Sequence, residues 1–260
     1  MELRFSKFEG TGNDFVMIDN RSGIFSADRR TVAFLCKRRK GVGADGLILI
    51  EEREGYDFAM RYFNADGGES TMCGNGGRCA IAFARSLGLF GVRTRFLAVD
   101  GEHEGSLTER GVRLKMNPVK EIRRIGEGYF LDTGSPHYVL FRDDLEQTDV
   151  VKEGRELRYG ELFRPAGANI NFVRVEGPSR IFNRTYERGV EDETLSCGTG
   201  SIAAALVTAH TRQNVSSPVT VETRGGILLV HYRQGKENLY EDIWLEGPAE
   251  HVFDGTINIP

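Results

Sequence analysis

Two short stretches hold the residues best suited to chemistry. Glu69-Ser70-Thr71-Met72-Cys73-Gly74-Asn75-Gly76 is echoed by Glu193-Thr194-Leu195-Ser196-Cys197-Gly198-Thr199-Gly200, with the two cysteines 124 positions apart. Each copy has a glutamate four residues before the cysteine, then Cys-Gly-x-Gly, then a small-residue apolar run: Cys79-Ala80-Ile81-Ala82-Phe83-Ala84 in one and Ile202-Ala203-Ala204-Ala205-Leu206-Val207 in the other. Both runs suit a buried helix, so each cysteine stands at a helix start. There a thiol meets backbone N–H groups and the positive end of the helix dipole, both of which favour thiolate. Free cysteine titrates near ~8.5, so a modest stabilisation populates thiolate near neutrality. Two such thiols can serve one carbon from opposite faces: one removes its proton as thiolate, and the other delivers a proton as thiol. That inverts a stereocentre without a cofactor. The amides of Gly74-Asn75 and Gly198-Thr199 can receive the oxygens of an adjacent carboxylate as it becomes enediolate-like, and the side-chain-free glycines let backbone approach a ligand closely.

Other readings of the cysteines are weaker. Two buried core thiols would be the ordinary fate of unpaired cysteine, but flanking glycines waste packing surface and the arrangement occurs twice. Zinc held by Cys73, Cys79 and Cys197 does not fit, because structural zinc prefers ligand pairs two to four residues apart. A nucleophilic cysteine paired with His137 would need one thiol and leave the other unexplained. His137 itself suits a turn cap as well as a substrate contact.

The elements that must position these boxes read as mostly short strands with one long apolar helix per half. Strands are expected at 3–9 and 14–19 around the turn Gly10-Thr11-Gly12-Asn13-Asp14, where Asn13 is either a turn residue or a ligand contact. Ser26 is a good N-cap for a helix with Val32, Ala33, Leu35 and Cys36 on one face, stopped by Gly41, with Lys37-Arg38-Arg39-Lys40 complementing its carbonyl end. Cys36 and Cys79 read as core residues. Gly41-Val42-Gly43-Ala44-Asp45-Gly46 matches G-x-G-x-x-G, but it precedes a strand and follows a helix, the reverse of a dinucleotide loop. A strand at 57–63 ends at the turn Asn64-Ala65-Asp66-Gly67-Gly68, and the helix after Cys73 runs to about Leu87 with Gly88 as its cap. Further strands fall near 93–98, 103–108, 111–116, 129–132, 138–141, 169–173, 180–186, 219–223, 227–232 and 240–245, with a charged helix within 148–163. Thr133-Gly134-Ser135-Pro136-His137 repeats the style of the first turn, and Ser135 precedes Cys197 by 62 positions where Asn13 precedes Cys73 by 60. The duplication therefore extends well beyond the cysteine boxes. The fold class is α+β, with the boundary of the halves placed at Asn117-Pro118.

Composition narrows the class. A chain of 260 residues that is 40% hydrophobic and 28% charged is globular rather than disordered. A net charge of −4 with dispersed Lys and Arg does not suggest a nucleic-acid partner. No leader-like segment or membrane span is read, and four cysteines without secretion signals suit a reducing cytoplasm; Asn-x-Ser/Thr at Asn183 and Asn214 then match by chance.

At these residues the chain resembles the diaminopimelate epimerases. The resemblance is carried over essentially the whole length by Gly12-Asn13-Asp14-Phe15, Phe63-Asn64-Ala65-Asp66-Gly67, Met72-Cys73-Gly74-Asn75-Gly76, Gly134-Ser135-Pro136-His137, Gly167-Ala168-Asn169, Glu187-Arg188-Gly189 and Ser196-Cys197-Gly198-Thr199-Gly200. The related proline racemases typically have histidine after the first Cys-Gly, so Asn75 favours the epimerases. The resemblance implies two pseudo-symmetric lobes, each a mixed or antiparallel barrel-like sheet wrapped around a central helix, with the site in the cleft between them. The lobes would be 1–117, completed by 248–260, and 118–247. It implies Cys73 and Cys197 as the catalytic bases, with no pyridoxal phosphate and no metal, in a cytoplasmic homodimer whose partner is a small-molecule substrate. Asn13, Asn64, Asn169 and Arg188 would hold the distal end of the substrate, the planar fork of Arg188 suiting a carboxylate. Glu187 and His137 would lie near the amino group at the reacting centre, and Gly74, Asn75, Gly198 and Thr199 around its carboxylate. Two departures stand out. Ser135 replaces the family's usual asparagine, offering one donor in place of two. Glu187 precedes Cys197 by ten positions, whereas Asn64 precedes Cys73 by nine. Both bear on substrate affinity and not on the acid–base pair. The expected activity is interconversion of LL- and meso-diaminopimelate, with racemisation of another amino acid as the enzymatic alternative and a ligand-binding protein as the non-enzymatic one.

Overall fold

A computed structural model describes residues 1–236 and 239–259. In chain order the elements are β1 (Glu2–Gly10), β2 (Asn13–Asp19), α1 (Arg29–Cys36), β3 (Gly46–Glu51), β4 (Phe58–Asn64), β5 (Glu69–Ser70), α2 (Gly74–Ser86), β6 (Arg93–Ala98), β7 (Gly101–Thr108) and β8 (Gly111–Met116). There follow β9 (Arg123–Ile125), β10 (Gly128–Asp132), β11 (Pro136–Phe141), α3 (Val150–Arg158), β12 (Asn169–Gly177), β13 (Arg180–Glu187), β14 (Asp192–Thr194), α4 (Gly198–Thr211), β15 (Val219–Thr223), β16 (Gly226–Gln234), β17 (Tyr240–Gly247) and β18 (Glu250–Asn258). The chain divides into two compact units: Met1–Leu114 together with the segment from Gly247 onward, and Lys115–Glu246.

Within the first unit the strands pair in the order β18-β1-β2-β3-β4-β6-β7-β8, with β5 also on β4. Within the second they pair β9-β10-β11-β12-β13-β15-β16-β17, with β14 on β13. The two orders correspond step for step. In both, the parallel pairs occupy the same places, β2 with β3 and β4 with β6 against β11 with β12 and β13 with β15. Each parallel connection is made by a helix, as parallel pairing requires a crossover. The second helix of each unit is the central one. Helix α2 packs on β1, β2, β3, β4, β7 and β18, and α4 on β10, β11, β12, β13, β15 and β16. The fold class is therefore α+β, as the sequence implies.

Burial explains the strand sequences. Leu47-Ile48-Leu49-Ile50 is apolar throughout because Leu47 and Leu49 join the core under α1, while Ile48 faces α2 beneath Gly76. In β12, Ile170 and Phe172 pack with Val150 of α3, whereas Val173 joins the cluster around Ile202 to Val207 of α4. Alternation then puts Asn169 and Asn171 on the α4 face, near the helix start. Helix α2 ends as expected at Gly88, which takes φ +75°; Gly88 N donates to Arg85 O and Leu89 N to Ala84 O, a Schellman closure.

Local signals misplace three features. The cap of α1 is Asp28, whose carboxylate accepts from Arg30 N and Thr31 N at 3.0 and 3.1 Å, and not Ser26. The helix stops at Cys36, so Lys37–Lys40 lies beyond its last turn. Arg38 instead forms ion pairs with Asp14 and Asp45 at 2.8 and 2.9 Å. Finally, β18 is a full strand that pairs antiparallel with β1, though its side chains are mostly exposed and its sequence lacks apolar alternation.

The approach of α3 to its sheet is set by Gly154, where an added Cβ would lie 2.4 Å from Tyr186 Cβ. Gly154→Ala is therefore expected to destabilise the fold by about 1–3 kcal/mol through overpacking. Gly91→Ala, with nothing within 4 Å, should stay within about 0.5 kcal/mol. Urea unfolding of the two variants checks the difference.

Candidate active site

In the first unit the turn after β4 brings the chain to Cys73, the N-cap of α2, with extended backbone at φ −100° and ψ 151°. Its sulfur accepts the Gly76 amide at 3.1 Å. A Cβ at Gly76 would sit 3.0 Å from that sulfur and 3.2 Å from Ile48 Cδ1, so any side chain there would press on both. Gly74 and Asn75 form the buried first turn. Asn75 is oriented on two sides: its Oδ1 accepts from Arg78 Nη2 at 3.1 Å and its Nδ2 donates to Asn13 Oδ1 at 3.4 Å. Asn13 in turn donates to Asp45 Oδ2 at 2.6 Å, and Asp45 is held by Arg38. The basic cluster past α1 thus steadies a predicted site residue. Asp14 lies in the same group. Burial pushes its carboxyl up, but hydrogen bonds and charge from Arg38 and Lys7 outweigh this and hold it at about 2. Asn64 closes β4 with an exposed side chain.

Arg78, two residues beyond the first Cys-Gly-x-Gly box, carries no role that the sequence motifs announce. It is fully buried, and its guanidinium donates to Gly74 O, Asn75 Oδ1, Thr11 Oγ1 and Pro248 O, all neutral oxygens. Burial pushes it down to about 10, which leaves it a cation at neutral pH. A buried positive charge one turn inside the helix start adds to the dipole there in favouring an anion.

In the second unit Cys197 caps α4 in the same way, with Gly200 N donating to its sulfur at 3.4 Å. Thr199 Oγ1 lies 3.5 Å from that sulfur and 3.0 Å from His137 Nε2. Ser135 Oγ lies 3.0 Å from the same nitrogen and accepts from Asn169 Nδ2 at 3.2 Å. Asn169 Oδ1 accepts the backbone N–H of Arg188 at 2.8 Å, so one asparagine ties β11 to the turn that presents Arg188. The Arg188 side chain donates to Ala166 O at 3.3 Å, and Glu187 accepts from Thr194 Oγ1 at 2.9 Å. Ser135, His137, Asn169 and Thr199 thus form one hydrogen-bonded group that reaches Cys197 through Thr199, with the Arg188 backbone tied to it through Asn169. His137 is neither a turn cap nor a surface group; it is fully buried. Burial and the nearby Arg188 charge push its imidazole down to about 3, so it is neutral in the working range.

The remaining thiols differ in kind. Cys36 ends α1 on its buried face, where burial pushes it up to about 12, and Cys79 lies inside α2, where complete burial pushes it up. None of the four cysteines is in a disulfide. Among the described residues no three His, Cys, Asp or Glu side chains gather to hold a metal ion, and no helix is long and apolar enough to cross a membrane.

These environments make the thiols distinguishable. Iodoacetamide treatment of the folded protein is expected to label the half-buried Cys73 first and the buried helix-capping Cys197 more slowly, whereas Cys36 and Cys79 should react only after denaturation. Peptide mass mapping reads the result.

Comparison with known proteins adds a separate line. The diaminopimelate epimerase family matches residues 5–120 and 129–252. The chain is 48% identical to a diaminopimelate epimerase of Flavobacterium psychrophilum over 98% of this chain and 100% of that protein. It is 45% identical to one of Chlorobaculum tepidum over 96% and 99%. Among solved structures it is similar to a PhzF-family phenazine biosynthesis protein of Bacillus anthracis, with TM-score 0.79 at 15% identity and full coverage of both chains. It is also similar to a hydroxyproline epimerase of Agrobacterium vitis, with TM-score 0.69 at 15% identity over 98% and 92%. At such identities the structural likeness speaks to the fold alone.

Proposed function

The chain belongs to the diaminopimelate epimerase family, and from that membership we propose that it interconverts LL- and meso-2,6-diaminopimelate by proton transfer at the α-carbon, with Cys73 and Cys197 as the two bases. One observation carries the mechanism. Each cysteine caps a buried helix and accepts an amide N–H through its sulfur, at 3.1 Å for Cys73 and 3.4 Å for Cys197. Donors aimed at sulfur stabilise thiolate over thiol, and the arrangement is made twice, as a two-base reaction needs.

In this scheme one sulfur, as thiolate, takes the α-proton from one face. The electron pair left on carbon delocalises into the adjacent carboxylate, whose oxygens are received by the first amides of the two helices, Gly74 and Asn75 on one and Gly198 and Thr199 on the other. The buried Arg78 cation supports that charge from behind α2. The second sulfur, as thiol, returns a proton to the opposite face, so the two sulfurs end a turnover with their protonation states exchanged. Asn13, Asn64, Asn169 and Arg188 hold the distal end, Arg188 pairing with its carboxylate, while Glu187 and His137 orient the reacting amino group. Ser135 occupies the place beside His137 and contributes a single hydroxyl there. The neutral His137 acts as a hydrogen-bonding group and does not compete as a general base. The same reading makes the protein a cytoplasmic biosynthetic enzyme of lysine and cell-wall precursors, working as a homodimer on a small-molecule substrate.

Proton NMR of the purified enzyme with LL-diaminopimelate, without added cofactor, is expected to follow formation of the meso isomer. Cys73→Ala and Cys197→Ala should each lower the rate by about 10²–10⁴-fold, the range of a lost acid or base. Full activity in either variant would refute the two-base scheme. No conversion by the unaltered enzyme, with turnover of another amino acid, would refute the substrate.

A further inference from the structure

The matched strand orders make each unit an internal control for the other. Beneath the first turn of α2, a Cβ at Gly76 would touch Ile48 Cδ1 and Phe15 Cε1, and Tyr62 lies opposite Ile48 in the ladder. Phe15 pairs with Gly46 on β3 as His137 pairs with Asn169 on β12. Counting along the strands, the second unit has His137, Asn171 and Thr185 where the first has Phe15, Ile48 and Tyr62; Asn171 lies opposite Thr185 as Ile48 does Tyr62. Largely apolar side chains suffice to support one cysteine-capped helix. The other rests on an imidazole, a carboxamide and a hydroxyl, all at least nine-tenths buried, which is unfavourable unless their hydrogen bonds are made.

Those bonds form an ordered chain. Asn183 Nδ2 donates to Thr185 Oγ1 at 3.2 Å, and the single hydroxyl proton of Thr185 goes to Asn171 Oδ1 at 2.9 Å. The amide nitrogen of Asn171 then faces His137 Nδ1 at 2.9 Å. With the Asn171 carboxamide in this orientation two donors would meet unless Nδ1 is the bare nitrogen, which puts the ring proton on Nε2. That nitrogen lies 3.0 Å from both Ser135 Oγ and Thr199 Oγ1. Asn169 Nδ2 spends its two hydrogens on Pro136 O and Ser135 Oγ, at 3.1 and 3.2 Å. Gly200 is part of the same device, since a Cβ there would lie 2.4 Å from Asn171 Oδ1.

We propose that Asn171 and Thr185 are positioning residues that hold His137 as its Nε2–H tautomer, so that the Thr199 hydroxyl accepts from that N–H and turns its own proton toward Cys197 Sγ. A hydroxyl proton aimed at sulfur favours the thiolate. The device thus steadies Cys197 as a base through a chain of neutral side chains, whereas the first unit has the buried Arg78 cation near its helix start. The inference rests on Cys197 being an acid–base group, but its first readout needs no substrate.

Long-range proton–nitrogen correlation spectra of the ¹⁵N-labelled full chain test it, with the His137 signals assigned by their loss in His137→Gln. The expected wild-type pattern at neutral pH is a protonated Nε2 and a bare Nδ1. Thr185→Val should release the Asn171 carboxamide and give mixed tautomers. It should also slow iodoacetamide reaction at Cys197 about fivefold, the equivalent of one hydrogen bond of ~1 kcal/mol, with Cys73 unaffected and Thr185→Ser restoring both readouts. Asn171→Asp, which presents only acceptors, should draw the proton to Nδ1. An Nδ1–H tautomer in the unaltered protein overturns the proposal even if a variant fails to fold. So does a folded Thr185→Val protein with unchanged tautomer and Cys197 reactivity. Either result leaves the assignment of diaminopimelate as substrate standing, because that is decided by turnover.

Discussion

A cysteine as helix N-cap is the interaction on which the rest of the structure depends. Serine, threonine, asparagine and aspartate are the preferred caps because their oxygens accept strongly from the first free amides; sulfur is a weak acceptor. Both central helices begin at such a cap, and both remain helical because their bodies are buried by the sheet of their own unit. Tertiary packing therefore holds the helix, and the weak cap leaves amide donors directed at a sulfur that can change charge. The second glycine of each box follows from the same geometry, because a side chain there would press on the capping sulfur in one unit and on Asn171 in the other.

Duplication supplies two such caps, and divergence then makes them unequal. Strand order, parallel pairs and helix positions correspond between the units, but the support under each cap does not. The first has Phe15, Ile48 and Tyr62, with a fully buried Arg78 one turn into the helix. At the position corresponding to Arg78 the second has Ile202, and it places its polar groups on the sheet as His137, Asn171 and Thr185. One sulfur is thus backed by a buried charge and the other by a neutral hydrogen-bond chain. Two bases that exchange roles in every turnover need comparable proton affinity, not the same surroundings.

Much of this was legible in the sequence because the signals are local. The repeated Cys-Gly-x-Gly boxes, the apolar run Leu47 to Ile50 and the glycine after α2 each follow from short-range periodicity or turn chemistry. What escaped depends on distant partners. Asp28 and Ser26 are both competent caps, and only the folded backbone selects between them. Lys37–Lys40 reads as a helix end until Asp14 and Asp45 are brought beside Arg38. Strand β18 has too little apolar alternation to announce itself, and its ladder partner is at the other end of the chain. Most of the predicted contacts around the cysteines came from family motifs. Asn171, Thr185 and Arg78 lay outside those roles, although aligning the two halves on Cys73 and Cys197 could have exposed the exchange of Phe15 for His137.

The central claim is that two different sulfurs act on opposite faces of one carbon. It is tested most directly by the early distribution of deuterium when LL-diaminopimelate is turned over in D₂O. A monoprotic thiol that removes a proton holds it, so return to the starting isomer restores protium, while the opposite sulfur delivers deuterium. The account predicts meso product labelled at the inverted carbon from the first turnovers, with the remaining LL pool unlabelled until product accumulates. Deuterium entering substrate and product at equal initial rates would point to a single base serving both faces and would contradict it.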